Sequence, residues 1–291
     1  HRQQWKNTLA TYVSPVVGKL PVSAVDTGLV LKVLEPIWTR KPETASRVRG
    51  RMEAVLDWAK VRGYRTGENP ARWRGHLNHL LPAKAKVRKV EHHAALSYAR
   101  IGAFLAALRQ QNGIAARALE FLVLTATRTG ETLGASWNEV DMRAKLWTIP
   151  AGRMKAGKEH RVPLSDAALA VLQQMHDIRH SDYVFPGGRD RRPLSETSLL
   201  MLLRRMGHGD ITAHGFRSTF RDWAAERTTF AREVAEMALA HAIPDAVEAA
   251  YRRGDLFDKR RKLMDAWAAY CAKIETEVGK VVALTSARTP Q

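Results

Sequence analysis

Apolar side chains recur at three- and four-residue intervals along most of this chain, and in one short stretch that helical period gives way to another. Trp5, Leu9 and Tyr12 lie along one face near the start, and Val48, Met52, Val55, Leu56 and Ala59 repeat the spacing. Leu96 to Gln110 and Ala115 to Thr127 repeat it again. The exception is the pair Trp147-Thr148-Ile149-Pro150 and His160-Arg161-Val162-Pro163-Leu164, which reads as two short strands around a Gly-containing turn, Ala156-Gly157-Lys158. The expected fold is therefore mainly α with a small antiparallel β-sheet, an α+β chain. Further helices are predicted from Ala167 to about Ile178 with Ser165 and Asp166 at its cap, from Ser195 through Leu203, near 215–227, 231–240 and 245–253, and from about 258 to 278.

Between Gly67 and His93 the period weakens, Pro70 and Pro82 interrupt it, and Lys84, Lys86, Arg88 and Lys89 crowd a stretch without apolar partners. The expected organisation is a helical unit over 1–80, a basic linker over 81–94, a larger domain over 95–278 and a tail over 279–291. Thr44 and Ser46 can help start the second helix of the first unit, and Arg47, Arg49 and Arg51 decorate it. Those cations, like the linker's, fit a DNA-facing surface or a solvated one.

The chain has 47 Lys+Arg against 29 Asp+Glu, a formal charge of +18. Such an excess favours a polyanionic partner through attraction and counterion release. Nucleic acid comes first, although a ribosome or an anionic membrane surface would also fit. No apolar run approaches the roughly 20 residues that span a bilayer, so membrane insertion is not expected. Cys271 is the single cysteine, which excludes an internal disulfide and a cysteine-based zinc site and suits a reducing cytoplasm. The chain starts at His1 without Met, and the expectation is that a preceding segment has been cut away.

Several residues can carry chemistry. His214-Gly215-Phe216-Arg217 sets an imidazole and a guanidinium on one helical face, where both can address one phosphate. Thr125 to Glu131 follows an apolar helix and puts Arg128 where Glu131 can orient it. Lys155 lies on the hairpin, with Arg153, Lys158 and Arg161 nearby. His241 ends an apolar helix, and Tyr251 follows just before Arg252-Arg253. Taken singly, most fit a structural role better: a surface pair, an ion pair at a helix junction, a buried histidine, a core tyrosine; Lys155 fits a solvated position equally well.

Their order changes the balance. Arg-x-x-Glu, a hairpin Lys, His-x-x-Arg, His and Tyr, in that sequence, resemble the catalytic domain of the tyrosine recombinase (phage integrase) family. Tyr251-Arg252-Arg253 followed by Arg260-Arg261-Lys262-Leu263-Met264 and Trp267 is similar to its prophage integrase subgroup. The N-terminal helices resemble that family's core-type DNA-binding domain, and the arm-binding domain usual before it is not expected within this stretch of chain. Ala240 stands where many relatives have Gly, and the interval from His241 to Tyr251 is one residue longer than in many.

The resemblance implies a site-specific recombinase that integrates or excises a prophage or genomic island. Tyr251 is the nucleophile, attacking a DNA phosphate to give a 3′-phosphotyrosine and a free 5′-hydroxyl. Arg128 and Arg217 neutralise the phosphate, Lys155 protonates the leaving oxygen, His214 and His241 position the phosphate and assist proton transfer, and Glu131 orients. Because the bond energy is conserved, no cofactor, metal or ATP is called for. The implied partners are double-stranded attachment sites, three further protomers in a homotetramer, a DNA-bending host factor and an excision factor, on the bacterial nucleoid. The stripe Leu256, Phe257, Leu263, Met264, Trp267 and Tyr270 then has two readings, docking on a neighbouring protomer or an intramolecular core helix. A DNA-binding protein without catalysis, a metal-dependent nuclease and a type IB topoisomerase are the competing functions.

Overall fold

The computed structural model describes residues 2–83, 94–188, 192–241 and 254–274. Tyr251, Lys84, Lys86, Arg88 and Lys89, together with the helix expected near 245–253, lie outside these described residues. The chain divides into two compact units, His1–His92 and His93–Gln291.

The first unit is helical: α1 (Arg2–Thr8), α2 (Ser14–Val17), α3 (Thr27–Trp38) and α4 (Pro42–Val61). Asp26 caps α3 by accepting from the Leu29 N–H at 2.8 Å. The start of α4 is a correction: Pro42 occupies its first turn, where a missing N–H costs nothing, and Thr44 and Ser46 lie inside the helix. Val30, Val33 and Leu34 of α3 pack with Ala45, Val48 and Met52 of α4 to make the core. Two of the three arginines of α4 also turn inward. Arg51 is 8% exposed, stacks on Trp5 at 5.6 Å and donates to the Gln4 carbonyl at 2.9 Å. Arg49 pairs with Glu53 at 2.6 Å and donates to the Ala71 carbonyl at 2.8 Å. They knit the unit together rather than decorating its surface, and Arg47 alone of the three is exposed.

In the second unit α5 (Ile101–Arg109) and α6 (Ile114–Thr125) are followed by the short α7 (Thr129–Leu133). Then come strands β1 (Val140–Asp141), β2 (Leu146–Ile149) and β3 (His160–Pro163), and helices α8 (Asp166–Asp177), α9 (Glu196–Arg205), α10 (Gly215–Arg227), α11 (Arg232–Ala238) and α12 (Phe257–Cys271). The sheet is antiparallel in the order β1-β2-β3, with Trp147 opposite Val162 and Ile149 opposite His160. The sequence shows only two of its strands, because a two-residue β1 is too short to alternate.

Helix α6 is buried on every side from Ala118 to Thr125, as a central helix must be. Its buried Glu120 is neutralised by Arg109 at 2.6 Å and Arg117 at 3.4 Å. Against it lies α12, whose Trp267 donates to the Val123 carbonyl at 2.8 Å. Leu263, Met264 and Trp267 are buried in the same core, so the stripe read from the sequence is an intramolecular core face. At Gly102 a side chain is excluded, because a Cβ there would meet the Lys273 carbonyl oxygen at 1.8 Å. Among the described residues no helix is long and apolar enough to cross a membrane.

Candidate active site

Helix α6 ends on Ala126, which takes the left-handed conformation at φ 51°. Such a residue commonly terminates a helix but is disfavoured for a side chain bearing Cβ, by roughly 1–2 kcal/mol. The chain then runs extended through Arg128 into α7. Hydroxyls brace this turn: Thr125 to Thr127 at 2.9 Å and Thr127 to Thr132 at 2.8 Å, all buried. Glu131, in the first turn of α7, reaches back as a capping carboxylate, accepting from the Arg128 backbone N–H at 2.9 Å and its Nη1 at 2.7 Å. The guanidinium of Arg128 is thereby held by a carboxylate that is itself 4% exposed.

Arg217 comes from the first turn of α10 and is 5% exposed. Its Nη1 donates to the Ala126 carbonyl at 2.6 Å, and its Nη2 donates to the Leu239 carbonyl at 2.5 Å and to His241 Nε2 at 3.1 Å. Burial, and then the charge of Arg128, push its pKa down to about 10, so it stays protonated at neutral pH. Glycine between His214 and this arginine has a steric reason: a Cβ on Gly215 would meet the Ala94 carbonyl oxygen at 2.5 Å. His214 is exposed at the N-terminal end of the helix, and its carbonyl accepts the Arg217 N–H at 3.1 Å.

The end of α11 completes the arrangement. The His241 N–H bonds the Glu236 carbonyl at 3.0 Å and the Ala240 N–H bonds the Met237 carbonyl at 3.1 Å, which is the Schellman termination with Ala240 in the left-handed position at φ 48°. That position favours glycine, which explains why alanine there is a departure from the commonest motif. The turn frees two carbonyls: Leu239 serves Arg217, and Ala240 accepts from Arg128 Nη2 at 3.0 Å. Two left-handed alanines therefore each offer a carbonyl to one of the two arginines.

The same turn folds His241 back over Glu236, whose Oε2 lies 2.5 Å from His241 Nδ1. Because a guanidinium only donates, His241 Nε2 must accept from Arg217, and the proton sits on Nδ1 facing Glu236. Burial pushes the Glu236 carboxyl up, but the His241 hydrogen bond and the charge of Arg221, whose Nε lies 2.9 Å away, outweigh it and hold the group below the usual carboxylate range. Glu236 and Arg221 are not visible as site residues in the sequence. They become so only through the 6→1 bond of the helix end, whose usual glycine signal is absent.

Arg128, Glu131, Arg217 and His241 thus share one network, with His214 at the head of α10. Lys155 is exposed on the segment joining β2 to β3. Two residues before it, Arg153 ties that segment to the arginine turn: it donates to the Glu131 carbonyl at 2.5 Å and pairs with Glu139. Among the described residues no group of three or more His, Cys, Asp or Glu is arranged to hold a metal ion.

Comparison with known proteins agrees with this architecture. Residues 1–76 match the phage integrase central domain, and residues 96–255, more than half of the chain, match the phage integrase family. Prophage integrase IntZ of Escherichia coli (strain K12) is 31% identical over 271 residues, covering 92% of this chain and 65% of that protein. The integrase of Enterobacteria phage P4 is 29% identical, covering 93% of this chain and 64% of that protein. The chain therefore spans just under two thirds of the length of these relatives. The fold is that of a lambda integrase dimer bound to a COC′ core site, at TM-score 0.64 and 16% identity over 82% of this chain and 87% of that one. A lambda integrase tetramer bound to a Holliday junction aligns at TM-score 0.62 and 16% identity, covering 84% and 71%. The chain belongs to the phage integrase family.

Proposed function

We propose that this chain is a site-specific DNA recombinase that breaks and rejoins strands through a covalent 3′-phosphotyrosine on Tyr251. The observation that carries the reading is the pair of guanidiniums of Arg128 and Arg217, each fixed by a left-handed carbonyl and together linked to Glu131, His241 and Glu236.

A phosphodiester repels nucleophiles by its own charge and has a poor alkoxide leaving group. The two guanidiniums neutralise the non-bridging oxygens and hold them more tightly as charge builds. The phenolic oxygen of Tyr251 gives up its proton to a site histidine and forms a bond to phosphorus while the bond from phosphorus to the 5′-oxygen breaks, and Lys155 supplies the proton that the leaving 5′-oxygen needs. His214 positions the phosphate directly and His241 does so through the Arg217 guanidinium, from which its unprotonated Nε2 accepts, and both assist proton transfer. The 5′-hydroxyl of a partner strand reverses the step. Four protomers on two duplexes, passing through a Holliday junction, fit both this reversibility and the tetrameric neighbour. The formal charge of +18 suits a duplex DNA partner. A DNA-bending host factor and an excision factor complete the proposal, as does action on the bacterial chromosome in the cytoplasm.

The test is a nicked duplex carrying a core site, incubated with the protein in excess chelator. A denaturant-resistant adduct at the undiminished rate is expected. Cleavage abolished by chelator and restored by magnesium would replace this reading with a metal-dependent nuclease.

A further inference from the structure

Strand β3 is tied to the chain on both sides of Tyr251. On the N-terminal side, the buried imidazole of His160, 9% exposed, faces the backbone of Ala238, next to the residues whose carbonyls hold Arg217 and Arg128. On the C-terminal side Arg260, at 1% exposure, donates from Nε to the Asp255 carbonyl at 2.7 Å, from Nη2 to the Asp255 carboxylate at 2.6 Å, and from Nη1 to the Arg161 carbonyl of β3. Arg161 returns the contact, approaching the Asp255 carboxylate at 3.4 Å and stacking on Phe257 at 4.2 Å.

Burying a guanidinium this completely is a poor way to gain stability, since apolar residues of similar volume often do as well or better. What such a group supplies is a fixed geometry, because its planar fork satisfies three acceptors in one arrangement only. Here the acceptors are one strand and the segment that follows Tyr251 closely in sequence.

Resting on the recombinase reading, we propose that Arg260, with Asp255 and His160, is a positioning device for the nucleophile: it fixes to β3 the two described segments flanking Tyr251, and so sets its reach to the phosphate held by Arg128 and Arg217. These residues touch neither DNA nor the reacting atoms. They act on cleavage through the chain that bears the nucleophile.

The experiment measures single-turnover cleavage of the nicked duplex by the whole chain for wild type, Arg260→Met, Arg260→Lys, Asp255→Asn, His160→Leu and His160→Gln, with DNA Kd and Tm measured alongside. Arg260→Met and His160→Leu are expected to cleave about 10²-fold more slowly, as a misplacement of about 1 Å costs, with Kd within about twofold. Asp255→Asn, at a half-exposed site that leaves the fold intact, should slow cleavage in the same direction, and His160→Gln, which can still donate, should recover much of the loss. A second substrate carries sulfur at the bridging 5′ position, whose thiolate leaves without a proton. It should restore Lys155→Ala and leave Arg260→Met slow. Cleavage by folded Arg260→Met and Asp255→Asn at the wild-type rate, loss of DNA binding in step with rate, or rescue of Arg260→Met by the sulfur substrate would each overturn the positioning role. An absence of any adduct with wild type would instead overturn the recombinase reading itself and the positioning role with it.

Discussion

Arg217→Ala is expected to slow covalent complex formation by about 10²–10³-fold, the loss typical of removing one preorganised donor from a transition state that gains negative charge. DNA affinity should change far less, because many other cations of this +18 chain contact a polyanion. Arg217→Lys should restore little. An ammonium can reach one of the three acceptors that the fork now holds, the Ala126 carbonyl, the Leu239 carbonyl and His241 Nε2, and it cannot fix a phosphate oxygen at the same time. Single-turnover cleavage at saturating protein separates the two quantities. An Arg217→Lys rate within a few-fold of wild type would mean that positive charge alone suffices and that the tethering network has no part in catalysis.

Trp267→Ala is expected to cost about 4 kcal/mol in stability of the second unit, within the range for deleting a buried aromatic side chain. Trp267 is fully buried, contacts Trp223 at 4.9 Å and Phe220 at 5.5 Å, and closes α12 onto the central helix through its bond to Val123. Urea unfolding followed by circular dichroism measures the cost, with the transition of the second unit fitted separately because two units need not unfold together. A loss below about 1 kcal/mol would show that α12 is not part of this core in solution and would favour its docking on another protomer.

The difference between these residues also shows what the sequence could reveal. The stripe of α12 is legible because a face repeating every three or four residues must be covered, yet the period is the same whether the cover comes from this chain or another. The choice is settled by α6, whose burial on all sides requires a neighbour at Val123. Arg128, Glu131, His214, Arg217 and His241 are visible as residue types in order, but nothing local says that Arg217 and Arg128 are held by the carbonyls of Ala126, Leu239 and Ala240. That follows from two left-handed turns, and alanine at both gives no glycine signal to mark them. Arg49 and Arg51 mislead for a related reason. A basic residue on a helix reads as solvated until its distant partners, Ala71 for one and Trp5 for the other, are brought to it by the fold. His160 is hidden among strand residues, where alternation accounts for its burial but not for its place against the Ala238 backbone, or for a pKa pushed down to about 4 by burial first and then by Arg260.

The central claim is that the phenolic oxygen of Tyr251 becomes bonded to DNA. The most direct measurement compares wild type with Tyr251→Phe on the same nicked duplex, with DNA binding measured in parallel and the adduct's modified residue mapped by mass spectrometry. Binding unchanged, no adduct from the phenylalanine variant, and a phosphonucleotide on Tyr251 in the wild type are the predicted results. A denaturant-resistant adduct that persists in Tyr251→Phe, or one mapped to another side chain, would contradict the assignment of the nucleophile and the mechanism built on it.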